Sequence, residues 1–131
     1  MATEYVQLVT DYITAVGDGR LDDLDGLLHP DLTFQRPGRP RLDGREHYVA
    51  ALRRLSPIIA RNDIKRVLVD GDEACVIYDF VTDTPVGAIP TVEWLTFDEG
   101  LIASVLLIFE DARWPEVLDK LQSATPAGTS A

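Results

Sequence analysis

A glutamate in the middle of a strand-like run is the first residue of this chain with the setting for chemistry. Glu93 stands in Thr91-Val92-Glu93-Trp94-Leu95-Thr96-Phe97, where a period of two puts it on the same face as Leu95 and Phe97. A carboxyl on an apolar face loses its water, and unless a cation pairs with it, its pKa rises and it keeps its proton. A neutral carboxyl donates a hydrogen bond, and such donors stabilise negative charge developing on a substrate oxygen. If Glu93 instead points outward or meets an arginine, it is an ordinary anion. Tyr12 lies on an apolar helical stripe, where its hydroxyl either reaches the same pocket or is satisfied within the core. Asp79 would be a general base if it faced inward. Its neighbour Tyr78 must face the other way, and the surrounding run is apolar at both parities, so the pattern leaves the choice open. Arg36, Arg39 and Arg41 crowd a turn-rich loop, Arg36-Pro37-Gly38-Arg39-Pro40-Arg41, either as a lure for an anionic ligand or as solvated charges.

Other familiar chemistry is missing from the pattern. There is no Gly-rich phosphate loop. His29 and His47 are the only histidines and Cys75 the only cysteine, so the chain offers few nitrogen and sulfur ligands. No metal site and no cofactor are expected. Cys75 lies in a strand among apolar residues and reads as a small buried hydrophobe. A single thiol forms no internal disulfide and suits a reducing, cytoplasmic setting.

The elements that must position these residues follow from periodicity. Thr3 and Glu4 open a helix with Val6, Val9, Tyr12, Ile13 and Val16 on one face, stopped by Gly17-Asp18-Gly19. A second, shorter helix carries Leu21, Leu24, Leu27 and Leu28 and ends at His29-Pro30. Leu32 to Gln35 reads as a short strand. Asp43-Gly44-Arg45-Glu46 resembles a capping box that starts a helix burying Tyr48, Leu52, Leu55 and Ile59. The period then changes to two. Strands are expected over residues 64–69, 74–83, 91–97 and 101–109, joined by turns such as Asp70-Gly71-Asp72 and Asp98-Glu99-Gly100, as sequential antiparallel hairpins. Trp114, Val117, Leu118 and Leu121 suggest a closing helix, and the small polar tail from Ser123 is expected to be disordered. Helices first and strands afterwards predict an α+β domain over residues 1–122. The last strand is apolar at both parities: Ile102, Leu106 and Ile108 on one, Ala103, Val105, Leu107 and Phe109 on the other. One face would meet the helices and the other a second subunit, which predicts a homodimer through the sheet.

The composition bounds the partners. The chain has 131 residues, 12 basic against 22 acidic, for a net charge of −10. That surplus repels phosphate backbones and anionic lipids, so no nucleic acid and no membrane partner are expected. No apolar run is long enough to span a bilayer, and the N-terminus does not read as a secretory signal.

The order of elements, the run Leu21-Asp22-Asp23-Leu24-Asp25-Gly26-Leu27-Leu28-His29-Pro30-Asp31-Leu32-Thr33-Phe34, the Pro-Gly turn and Asp43-Gly44-Arg45 together resemble the opening of the nuclear-transport-factor-2-like superfamily. That group includes ketosteroid isomerases, SnoaL-like polyketide cyclases and limonene epoxide hydrolases. The resemblance spans roughly residues 4–121. It implies a cone-shaped α+β barrel, a curved antiparallel sheet wrapped around N-terminal helices, usually dimeric, with a ligand pocket inside. Set against the isomerases, whose base is an aspartate and whose oxyanion donors are a tyrosine and a protonated aspartate, Tyr12 and Glu93 stand at the donor places. The base position is Arg36, which takes no proton at neutral pH. The epoxide hydrolases need two aspartates and an arginine, and the final strand has Val105 and Leu107 where an acid would stand. The cyclases use an acid late in the chain, and only Glu110 and Asp111 lie just past the last strand.

These readings lead to a SnoaL-like pocket protein for an apolar, ring-sized molecule, working without cofactor as an isomerase, cyclase or dehydratase. Glu93 and Tyr12 would donate to an oxyanion and Asp79 would be the base. The pocket residues are expected to be Phe34, Arg36, Tyr48, Leu52, Leu95, Val105, Leu107 and Phe109. The alternatives are a binding protein that does no chemistry and a dimeric interaction scaffold.

Overall fold

The architecture is that of a computed structural model, which describes residues 2–124. Helix α1 runs from Ala2 to Gly17 and is followed by a 3-10 turn, Leu21–Gly26. Strand β1 is Leu28–Gln35, β2 is the two-residue Leu42–Asp43, and α2 is Arg45–Leu55. A second 3-10 turn, Ser56–Ile58, leads to β3 (Ile59–Asp70), β4 (Glu73–Thr82), β5 (Ala88–Asp98) and β6 (Leu101–Phe109). Helix α3 is Trp114–Ala124, so it takes in the first two residues of the expected tail; the rest of that tail, 125–131, lies outside the described residues. None of the described helices is long and apolar enough to cross a membrane.

The strands form one six-stranded sheet in the order β2-β1-β6-β5-β4-β3. The hairpins from β3 to β6 are antiparallel as expected. The sheet as a whole is mixed, because β1 pairs with β6 in parallel. It is also open: β2 and β3 are its two edges, so the barrel is a cone that does not close. Helix α1 packs across β3 and β4, and α2 packs against β1, which puts both on one face of the sheet. Gly17 lets the end of α1 come close to β3, since a Cβ there would stand 2.5 Å from the Asn62 backbone nitrogen. The Asn62 amide fastens the same contact by donating to the Ile13 carbonyl at 3.0 Å.

Local expectations fail where two readings of one residue compete. The second helix is only a 3-10 turn, and β1 starts at Leu28 and runs through His29-Pro30. Proline disfavours helix before it, but it also fits a strand where the ladder is broken, and the β1–β6 register is irregular between Leu28 and Thr33. The capping box is not formed. Gly44 is the residue before α2, with no side-chain cap, and the Asp43 carboxylate is taken by Arg41 at 2.7 Å. Ile59 belongs to β3 rather than to α2. The start of β3 was hidden by Arg61, Asn62 and Asp63, which sit on a strand with two register shifts.

The parity of β6 also differs. The β5–β6 register shifts between Thr96 and Phe97, and this bulge moves Ile102 onto the buried side with Val105. Ile108 remains on the outer face, 46% exposed. The β5–β6 turn itself needs left-handed backbone at both Glu99 (φ 56°) and Gly100 (φ 76°), as a two-residue hairpin does.

The core fills the narrow part of the cone. Val9, Tyr12 and Ile13 of α1 pack with Leu28, Leu32, Val76 and Leu95. Tyr5 of α1 stacks on Phe97, ring centroids 3.9 Å apart. A second cluster of Ile58, Ile89, Trp114 and Val117 anchors α3 beside the wide end.

Candidate functional site

The alternation of β5 is regular, so Thr91, Glu93, Leu95 and Phe97 all turn inward and are buried. Val76 pairs with Glu93 and Tyr78 with Thr91, so β4 brings Tyr78 to the same face. Tyr12 reaches across from α1 and Tyr48 from α2. The four side chains form one network. The Tyr12 hydroxyl donates to Glu93 Oε1 at 2.7 Å, and the Tyr78 hydroxyl donates to Oε2. The Tyr48 and Tyr12 hydroxyls are hydrogen-bonded to each other. No described buried side-chain polar atom lacks a partner.

Burial sets the proton affinities. It raises the Glu93 pKa, and the bonds from Tyr78 and Tyr12, which favour the anion, only partly offset it. The Tyr12, Tyr48 and Tyr78 pKa values are all raised well above that of free tyrosine, first by burial and then by the Glu93 charge. The hydroxyls therefore stay protonated. With Glu93 ionised, Tyr48 donates to Tyr12 while Tyr12 and Tyr78 donate to the carboxylate, and every hydroxyl proton is used internally. Adding a proton to Glu93 leaves one more proton than there are internal bonds to hold it. The protonated network thus has one donor to spare, and the ionised network can take one proton back.

This network borders a cavity of about 560 Å³ at the wide end of the cone. Glu93, Tyr48 and Tyr78 line it, and Tyr12 stands behind them, fully buried. The apolar walls include Phe34, Leu52, Leu107 and Phe109, with Trp114 and Leu118 of α3 on one side. Phe34 stacks on Tyr48, which fixes the ring that carries the hydroxyl. Arg36 also lines the cavity, its guanidinium 4.8 Å from the centroid of Phe109 and 5.8 Å from that of Trp114.

Three expected site residues fall elsewhere. Asp79 lies on the other face of β4 from Tyr78 and pairs with Lys65 at 3.3 Å, so it cannot act as a base in the cavity. Leu95 and Val105 pair across β5 and β6 and are sealed in the core, where α1 fills the cone. Cys75, also on the outer face, is half-buried rather than enclosed. Conversely, Tyr78, Arg54 and Trp114 line the cavity without having been singled out. The sequence carried no deciding signal for Tyr78, since Ala74, Val76 and Phe80 are in phase with it but Cys75, Ile77 and Val81 make the other phase apolar too. Among the described residues, His29, Asp98 and Glu99 bring possible metal-ligand atoms within 4.8 Å of one another, but none of them lines the cavity.

Comparison with known proteins fits this geometry. A family model described as a SnoaL-like domain matches residues 9–105. No curated protein sequence matches the chain. Among solved structures, the chain resembles a de novo designed protein with a curved β-sheet (TM-score 0.78, 18% identity, covering 95% of this chain and 99% of that one). It resembles an epoxide hydrolase of the LEH-like type from M. tuberculosis (TM-score 0.73, 20% identity, covering 93% and 94%). It also resembles a candidate SnoaL-like polyketide cyclase from Jannaschia sp. CCS1 (TM-score 0.70, 19% identity, covering 95% and 94%). At such identities the likeness establishes the α+β cone and no activity.

Proposed function

The chain belongs to the SnoaL-like domain family, and from that premise we propose that it binds an apolar, ring-sized molecule and moves a proton on it without a cofactor. A carbonyl or phenolic oxygen of the ligand sits against Glu93, Tyr48 and Tyr78. The reaction is an isomerisation, cyclisation or dehydration in which negative charge develops on that oxygen and is met by the spare donor of the network. Glu93 is the acid and base of this scheme, because among the described residues lining the cavity it is the one carboxyl. The observation that carries the reading is a buried glutamate bonded to two tyrosines at the wall of a mostly apolar cavity.

The test uses 2-tetralone, an enolisable two-ring ketone, in D₂O, with exchange at its α-carbons followed by NMR. The protein is expected to accelerate exchange, and Glu93→Gln to lose about 10²-fold or more of that acceleration, the usual share of a positioned acid–base group. Exchange that is equally fast with Glu93→Gln contradicts the scheme.

A second reading, a binding protein that does no chemistry, is favoured by one observation. The position where the isomerase resemblance places a base holds Arg36, and Asp79 is engaged with Lys65 outside the cavity. That reading predicts binding of 2-tetralone without exchange.

The same proposal pairs the chain with a second copy through the outer face of the sheet, where Trp94, Ile77 and Ile108 are 51%, 38% and 46% exposed. It places the protein in the cytoplasm, in keeping with its lone thiol.

A further inference from the structure

We propose that the molecule this cavity takes is an anion, with its charged group held at the mouth by Arg36, Arg39 and Arg54 and its apolar rings directed toward Glu93. The inference rests on the pocket reading above and names the chemical class of its ligand.

The charge around the cavity runs against that of the chain. The protein carries a net −10, yet the charged side chains that line the cavity are Arg36, Arg39, Arg54 and Glu93, and burial favours the neutral form of the last. Elsewhere most of the basic residues are spent on carboxylates; among the described residues, Arg66 and Lys120 are the exceptions. Arg20, Arg41, Arg45, Arg53, Arg61, Lys65 and Arg113 each form an ion pair. Among the described residues, Arg36, Arg39 and Arg54 form none. In so acidic a chain, three cations without carboxylates around one cavity are a departure that solubility does not require.

Arg36 is built for the task. It is half-buried, and its guanidinium lies over Phe109 and Trp114. Among the described residues its guanidinium makes no ion pair, and its N–H donors match a carboxylate or sulfonate. Burial and then the Arg39 charge push the Arg36 pKa down, and the Asp111 charge only partly opposes them. Such a pair of cations is relieved by an anion between them.

The spacing also fits one ligand. Glu93 pairs with Leu107 on β6, and Arg36 stands over Phe109, two residues further along. Two residues of strand span about 7 Å, the length of a fused two-ring system. An amphipathic acid of that size would reach both the arginines and the Glu93 network.

Two fluorescent dyes separate the claims, because they share one ring system and differ in a sulfonate: 1-anilinonaphthalene-8-sulfonate and N-phenyl-1-naphthylamine. Both brighten in an apolar site, and each is titrated into the protein and into a triple variant, Arg36→Gln, Arg39→Gln and Arg54→Gln. The sulfonate dye is expected to bind about tenfold tighter or better, the worth of one charged hydrogen bond. The triple variant should erase that advantage by weakening the sulfonate dye about tenfold more than the neutral dye, and an unchanged circular dichroism spectrum and urea midpoint show that the variant is folded. Equal affinities for the two dyes, or an advantage that survives in the triple variant, overturn this inference while leaving the pocket standing. If neither dye binds, the pocket reading fails and this inference fails with it.

Discussion

At the scale of residues, the account turns on which protons are held and where. Glu93 was partly legible because it shares its phase with Leu95 and Phe97, while Val92 and Trp94 make the other phase apolar as well, so the burial of β5 was needed to settle its face. Asp79 and Tyr78 were not legible, because β4 is apolar at both parities and only the pairing with β5 decides between them. The raised Glu93 pKa has a consequence for stability. The folded state holds the proton more tightly than the unfolded state, whose carboxyl titrates near about 4.3. This contribution is complete below that value and is lost as pH rises through the folded-state pKa of Glu93. Wild-type stability relative to Glu93→Gln, measured by urea unfolding across that window, is therefore expected to fall as pH rises. A second expectation concerns Tyr12, which donates to Glu93 and accepts from Tyr48. Tyr12→Phe leaves both partners short of a bond inside the protein. It should cost roughly 1–3 kcal/mol in the same assay and raise the Glu93 pKa further.

At the scale of elements, the strands from β4 onward were legible from their period and their turns, and β6 was read to the residue. What the sequence did not reveal were features that exist only between elements. The parallel pairing of β1 with β6 and the bulge opposite Thr96 arise from how distant segments meet. The bulge is why Ile102 lies inside although its parity placed it with Ile108. The same kind of contact governs Gly17, which read as a helix stop. Its other role is to let α1 touch β3, where a Cβ would strike the Asn62 backbone at 2.5 Å. Gly17→Ala is expected to destabilise the protein by roughly 1–3 kcal/mol. Gly26→Ala, which meets nothing within 4 Å, should stay within about 0.5 kcal/mol of wild type. Urea midpoints of the two variants check the contrast.

At the scale of the whole molecule, an open cone sorts its residues by depth. Helix α1 fills the narrow end, which seals in Leu95 and Val105, and the wide end keeps a cavity edged by α3. The apolar periodicity of the strands was the same at both ends, so the sequence could not tell a wall of the cavity from the floor of the core. The outer face poses the complementary question. Trp94 and Ile108 stand on the side of the sheet away from the helices, and the proposed dimer would cover them. Trp94→Lys is expected to shift the protein from dimer to monomer in sedimentation velocity, with the Glu93 network undisturbed. A wild type that sediments as a monomer at high concentration contradicts the proposed pairing.

The central claim is that Glu93 is a proton-holding carboxyl inside a ligand cavity. The most direct measurement is the titration of its side-chain carbonyl carbon by NMR in the free protein, assigned by its absence from Glu93→Gln. The account predicts a midpoint clearly above the ordinary glutamate value of about 4.3, moving further up in Tyr12→Phe. A midpoint at or below that value would mean a carboxylate stable in its anionic form, with no spare proton for a ligand, and the proposed chemistry would not stand.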